Sequence, residues 1–319
     1  MKNVPRKFRQ GILTHCYQNT INGFLIFYSI SDYLVFFTRL CVTAEKYDIV
    51  IAALCLMPDH FHAGTITQNK KSLSGFWCET LSLNTKQNNS TCHRKGHLFN
   101  RRFGSSLKPD GKIARTNIIY IGNNPVERGL VNRAEQYRWN FLAYAKSDHP
   151  FSEKLILRKA SRKMRKYIKE IEGAHRRGNP LSYESLQRMF SSLDQKERLQ
   201  LIDFIVVTYS VIDYSFTEKL FGSIEDAIEA MHHNTGREYE LKETFVGRSD
   251  AHYATITKYL LDRFQLHDIH DIFRFSEEKR RDLLLDIYNT FSIPPKQIAK
   301  FLRLKDGSVP VFHKTVGDR

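Results

Sequence analysis

Two histidines separated by one residue, His60 and His62 in MPDHFHAG (57–64), are the first side chains able to do chemistry together. On a β-strand, residues i and i+2 project from one face, so the two imidazoles would stand side by side while Phe61 points away. That spacing suits shared coordination of a divalent ion. It also suits two unligated polar residues on a half-exposed strand. A second group lies in IIYIGNNPVERGLV (118–131), where Tyr120 follows His62 by 58 residues. If 111–124 is helical, Tyr120 and Asn124 are i and i+4, one turn apart on one face. An amide oxygen could then complete the coordination of an ion held by the imidazoles, and such hard donors favour Mg²⁺ or Mn²⁺. A phenol can serve as a covalent nucleophile, and a Lewis-acidic ion would polarise a phosphodiester for its attack.

Each residue also has a structural reading. Tyr120 is of a type common at half-buried helix positions. Asn124-Pro125-Val126-Glu127 fits an N-cap, a proline at the first helical position and a capping-box glutamate, with Tyr120 then closing a preceding helix. Gly122 would cost a helix interior about 1 kcal/mol against Ala, which marks either a break or a close approach by DNA or another backbone. Cys78, Cys92, His93 and His97 match no common zinc spacing.

These side chains need elements to hold them. GILTHCYQN (11–19) and FLIFY (24–28) read as strands around Asn22-Gly23, with a helix from Ser31 as N-cap to about Lys46. YDIVIAALCLM (47–57) and HFHAGTIT (60–67) read as a hairpin across Pro58-Asp59. A helix over 70–88, a short strand at 98–104 and a helix from Asp110 follow. Strands and helices mixed in this order predict an α/β (α+β) fold with an antiparallel sheet and packed helices. Beyond residue 180 the apolar spacing is three and four throughout, which predicts a mostly helical remainder. Residues 154–180 are dense in Lys and Arg, show no strong apolar face after Ile156, and end at Gly178-Asn179-Pro180. The expected organisation is therefore 1–150, a basic linker helix over 151–180, and a helical domain over 181–319. EEKRRDLLLDIYNTFSIPPKQIAKFLRL resembles the first two helices of a helix-turn-helix, although KDGSVPVFHK (305–314) makes a poor recognition helix.

With 41% apolar and 12% aromatic residues the chain can bury real cores, which argues against general disorder. No run of 18 apolar residues occurs, so no membrane span is expected. Five cysteines without a C-x-x-C spacing fit reduced thiols and a cytoplasmic, nucleoid-associated protein. The net charge of +15 is unevenly placed: residues 1–180 hold 30 Lys/Arg against 12 Asp/Glu (+18), and 181–319 hold 19 against 22 (−3). A polyanion partner for the first part follows, nucleic acid above all, with a merely solubilising surface as the alternative.

MPDHFH, FNRRFG (99–104), YIGNNPVERGLV and EQYRWNFLAY (135–144) resemble, in order and spacing, the landmarks of the single-tyrosine HUH transposases. The REP-associated tyrosine transposases are the most similar branch. The resemblance spans about residues 10 to 145, somewhat under half the chain. It implies a ferredoxin/RRM-like domain with His60 and His62 on a central strand and Tyr120 on a helix beside them. It implies Mg²⁺- or Mn²⁺-dependent cleavage of single-stranded or hairpin DNA, with Tyr120 as nucleophile, a 5′-phosphotyrosine intermediate and strand transfer, and Asn124 as third metal ligand. Asp59 stands where the family usually has Asn, and Ala63-Gly64-Thr65 replaces its apolar run. Arg101, Arg102, Lys108, Lys112 and Arg115, with Arg94 and Lys95, bracket the approach to Tyr120 as candidate phosphate contacts, and Phe103 as a base-stacking residue. Trp139 reads as core. Self-association is compatible with all of this. Two competing readings are a non-catalytic or host-adapted DNA-binding regulator that keeps the fold, and a metal-dependent hydrolase in which His60 and His62 activate water.

Overall fold

The computed structural model of the chain describes residues 7–100, 102–233 and 249–305. The first elements are β1 (Thr14–Asn19), α1 (Ile30–Lys46), β2 (Val50–Leu56), β3 (His60–Ile66), α2 (Lys70–Thr91) and β4 (Gly104–Leu107). Their sheet has the order β2-β3-β1-β4, with each neighbouring pair antiparallel. A βαββαβ chain with that order is the ferredoxin-like arrangement, so the expected α/β (α+β) class holds. β3, the histidine strand, lies inside the sheet. Its register pairs Tyr17 with His62 on one side and Cys55 with His62 on the other.

Alternation on β3 decides which residues face which layer. Phe61 is fully buried against α1 and α2, stacked on Trp77 at 5.0 Å and tilted against Phe36 at 5.3 Å. The opposite face, carrying His60 and His62, is crossed by α3 (Gly111–Glu127), which Asp110 caps by accepting from the Ile113 amide at 2.9 Å.

Three local expectations change. FLIFY forms no strand: Ile26 and Phe27 both donate their amides to the Pro58 carbonyl, so this buried run ties to the β2–β3 turn instead of a ladder. The cap of α1 is Ser29, in a reciprocal capping box with Asp32, and Ser31 lies inside the first turn. The short strand comes later than 98–104, because Tyr17 pairs with Gly104, where the glycine leaves room for the tyrosine ring.

Past residue 150 the chain is helical: α4 (Arg162–Arg176), α5 (Tyr183–Ser191), α6 (Gln195–Tyr209), α7 (Tyr214–Phe221), α8 (Ile224–His233), α9 (His252–Phe264), α10 (Glu277–Phe291) and α11 (Pro295–Leu302). The basic segment is more than a linker. α4 buries Met164, Tyr167, Ile168 and Ile171, a three- and four-residue stripe that its many Lys and Arg concealed in the sequence. That stripe belongs to the same core cluster as Phe36, Phe61 and Trp77, and the cluster continues through Tyr209 in α6. Hydrophobic packing thus crosses both expected boundaries. Ile224, Ile228 and Met231 of α8 pack with Ala114 and Ile118 of α3. α9 to α11 form a third cluster that reaches back to Leu25 and Tyr28. There Arg303 donates to the Tyr28 hydroxyl (3.1 Å), the Leu25 carbonyl (3.1 Å) and Asn88 Oδ1 (2.9 Å). α10 and α11 form the expected helix pair, while the segment expected to follow as a recognition helix lies almost wholly outside the described residues. No helix among the described residues is long and apolar enough to cross a membrane.

Candidate active site

α3 runs unbroken through residue 124, and this decides between the two readings of Asn124. It caps no new helix: it lies inside α3, and its carbonyl accepts from the Arg128 amide at 3.1 Å. Pro125 lies inside the same helix near its C-terminal end, where it offers the Ile121 carbonyl no amide. Tyr120 and Asn124 therefore project from one face, as i and i+4 residues do. Gly122 marks neither a break nor a nucleic-acid approach. A Cβ there would lie 2.5 Å from Met231 Sδ, so the glycine admits α8.

The four predicted residues meet. His60 Nε2 lies 3.2 Å from Asn124 Oδ1, and His62 Nε2 lies 3.5 Å from the Tyr120 hydroxyl. The imidazole centroids are 5.0 Å apart and nearly perpendicular, and the Tyr120 ring meets His62 edge-on at 5.1 Å. All four side chains are at most 3% exposed.

Both histidines have their second ring nitrogen engaged. His60 Nδ1 is 2.6 Å from Asp59 Oδ1, and His62 Nδ1 is 3.0 Å from His15 Nε2. A carboxylate or similar partner on the far nitrogen is how metal-binding imidazoles are commonly held with the other lone pair turned inward. His60 Nε2, His62 Nε2 and Asn124 Oδ1 are the atoms that could hold a divalent cation here. Among the described residues no group of three or more His, Cys, Asp or Glu is placed to bind a metal.

Around Asp59 sits a set of charges with no forewarning in the local sequence. Lys300 Nζ is 3.1 Å from Asp59 Oδ2, and Arg128 is 3.8 Å from Asp250. Burial raises the Asp59 pKa most strongly of any single influence, but His60, Lys300 and Arg128 together outweigh it and hold the carboxyl well below its ordinary range. Asp250 goes the other way, pushed up to about 6 by burial and by the nearby Asp59 charge.

His15 was also missed. The alternation of THCYQN places His15 and Tyr17 on the face opposite Cys16, and only the β1–β3 register brings His15 to His62. The candidate phosphate contacts are less concentrated. Arg102 and Lys112 are exposed and Lys108 is half-buried, while Arg101 lies outside the described residues. Arg115 is exposed but donates to the Leu220 carbonyl and rests 5.8 Å over Phe221. Lys112, Arg115 and Lys219 line a surface hollow of about 610 Å³. Phe103 is no stacking platform: it is buried, with its ring 5.9 Å from Trp77. Trp139 is core, stacked on Tyr33 at 4.4 Å.

A ferredoxin-like sheet with paired histidines on an inner strand and a tyrosine on the helix across them resembles the single-tyrosine HUH transposases as a class. Within that class the similarity is to the REP-associated branch. A Haemophilus influenzae protein named as a REP-associated tyrosine transposase is 24% identical over 155 residues, covering 44% of this chain and 85% of the relative. Among solved structures, a REP-associated tyrosine transposase bound to a REP hairpin matches with a TM-score of 0.38 and 21% identity, over 44% of this chain and 81% of that one. No protein-family model matches the chain.

Proposed function

We propose that this chain is a DNA transposase that cuts and rejoins single-stranded DNA, at hairpin-forming sequences, through Tyr120. The observation that supports the reading is the adjacency of two pairs, the Tyr120 hydroxyl 3.5 Å from His62 Nε2 and Asn124 Oδ1 3.2 Å from His60 Nε2, on imidazoles whose centroids are 5.0 Å apart. The Tyr120 oxygen attacks phosphorus, the bond from phosphorus to the 3′-oxygen breaks, and the phenol proton ends on that oxygen. The products are a 5′-phosphotyrosine and a free 3′-OH, and the reverse attack by a 3′-OH completes strand transfer. His60, His62 and Asn124 would hold Mg²⁺ or Mn²⁺, which when bound supplies Lewis-acid polarisation of the phosphate. Asp59 and His15 orient the two rings. Arg102, Lys108, Lys112 and Arg115 carry phosphate contacts in this reading, and a cytoplasmic, nucleoid-associated site of action follows from the substrate. Because Tyr120 is 3% exposed, its cover must move before a phosphodiester can reach it.

Incubation with labelled single-stranded hairpin DNA and Mn²⁺ or Mg²⁺, followed by a denaturing gel, tests this. A covalent protein–DNA band is expected in the wild type and absent in Tyr120→Phe. Cleavage that survives Tyr120→Phe would transfer the assignment to a water-activating hydrolase. DNA binding without cleavage under any metal would make the chain a regulator that keeps the fold.

A further inference from the structure

Asp59 has two carboxylate oxygens and two different partners. Oδ1 faces His60 Nδ1 at 2.6 Å, and Oδ2 faces Lys300 Nζ at 3.1 Å. We infer that Lys300 of α11 is a positioning residue for the site: by holding Oδ2 it turns Oδ1 onto His60 Nδ1, which fixes the ring with its Nε2 edge toward Asn124. What Nε2 then does rests on the transposase reading above, whereas the ring's orientation and tautomer do not.

Three observations support the assignment. A competing cation belongs to the same buried group of charges, Arg128, whose guanidinium lies 3.8 Å from Asp250. A carboxylate free to turn toward Arg128 would release His60 Nδ1. Lys300 Nζ prevents this by occupying the oxygen that His60 does not use.

Lys300 is also held in place. Its stem passes so close to Gly23 that a Cβ there would lie 2.9 Å from Lys300 Cε. The helix that carries it is tied down on either side of Phe301, whose carbonyl accepts from the Tyr28 hydroxyl at 3.0 Å, and by the three hydrogen bonds of Arg303. Its side chain is only 16% exposed, far from the free reach of a surface lysine.

The third observation is the residue at 59. An asparagine at this position would need no counter-ion. This chain carries the charged form, which cannot be buried at low cost without a cation, and α11 supplies one. The site's geometry thereby depends on a helix outside the part of the chain that resembles known transposases.

The test uses the full chain. In metal-free protein with ¹⁵N-labelled histidine, long-range ¹H–¹⁵N correlation spectra report the His60 tautomer. A protonated Nδ1 is expected in the wild type and in Lys300→Arg, and partial loss of that Nδ1 proton in Lys300→Met. Mn²⁺ titration followed by electron paramagnetic resonance should show about tenfold weaker binding in Lys300→Met, the size typical of a lost supporting contact. Lys300→Arg should restore it, and Lys300→Met should add nothing once Asp59→Asn is present. Lys300→Gln, which keeps a polar side chain and removes the charge, should shift the Nδ1 signal in the same direction if Lys300→Met fails to fold.

An unchanged tautomer and unchanged Mn²⁺ affinity in Lys300→Met would overturn the inference. So would a loss confined to the salt-dependent affinity for single-stranded DNA, which would make Lys300 a phosphate contact. If the wild type binds no Mn²⁺ but Lys300→Met still disturbs the tautomer, the metal reading fails and the positioning role stands.

Discussion

Replacing Gly122 by alanine sets two effects of similar size against each other. In a helix free of neighbours the exchange gains about 1 kcal/mol. Here the new methyl would lie 2.5 Å from Met231 Sδ and 2.7 Å from Cε, so something must shift. α3 cannot retreat easily, because Tyr120, Ile121 and Asn124 are buried beneath it and Asn140 holds the Gly122 carbonyl at 3.3 Å. Overpacking of this kind costs about 1–3 kcal/mol. The middle of that range applies, since the unbranched thioether of Met231 can turn part of the way aside. The net expectation is a loss of about 1 kcal/mol. With Met231→Ala the obstruction is gone, and the same exchange should then gain about 1 kcal/mol, a coupling of about 2 kcal/mol between positions 122 and 231. Urea unfolding of the four proteins, compared by midpoint at constant slope, measures it. If Gly122→Ala stabilises both backgrounds equally, the close contact between α3 and α8 is refuted.

Other expectations follow from single groups. His270 Nε2 is 3.2 Å from Asp32 and Nδ1 is 2.7 Å from Asp268. Burial lowers its pKa, but the carboxylates outweigh burial and raise it well above the ordinary value. A raised folded-state value means the stabilisation is complete below about pH 6.5 and is lost as pH rises through the folded pKa. Urea midpoints of the wild type and His270→Gln should therefore converge at alkaline pH, and a constant gap would contradict the assignment. Asp203 accepts from the Tyr144 hydroxyl at 2.6 Å and the Phe151 amide at 3.2 Å and pairs with Arg138. Asp203→Ala should cost about 3–5 kcal/mol in urea unfolding, as an uncompensated buried guanidinium does. His15→Phe removes the partner of His62 Nδ1, and Mn²⁺ affinity by calorimetry should fall about 10- to 100-fold. Unchanged affinity would place His15 outside the site.

Much of the site was legible in the sequence because its parts are local. Strand alternation puts His60 and His62 on one face and helical periodicity puts Tyr120 and Asn124 on one face, while only the resemblance joined the two pairs before any tertiary contact was known. Errors arose where a contact distant in sequence overrode a local signal. FLIFY has strand composition, yet the Pro58 carbonyl takes its amides. Asn124-Pro125 has the chemistry of a helix start, yet packing on the sheet carries α3 straight through it. Phe103 has the exposed neighbours of a stacking residue, yet Trp77 buries it. The basic α4 hid its apolar stripe because the twelve Lys, Arg and Glu residues of 154–180 dominate a composition count and do not dominate a face. His15 and Lys300 were illegible for a plainer reason: the first depends on sheet register and the second on a helix 241 positions away from Asp59.

That separation also has a consequence in time. Chains are made at about 5–20 residues per second, so roughly 12–50 s pass between synthesis of Asp59 and synthesis of Lys300. For that interval the β3 segment and its two imidazoles are already made while Asp59 lacks its lysine, because α11 has yet to be synthesised. The nascent chain holds an unfinished site, and the last piece to arrive is made long after the residues it aligns.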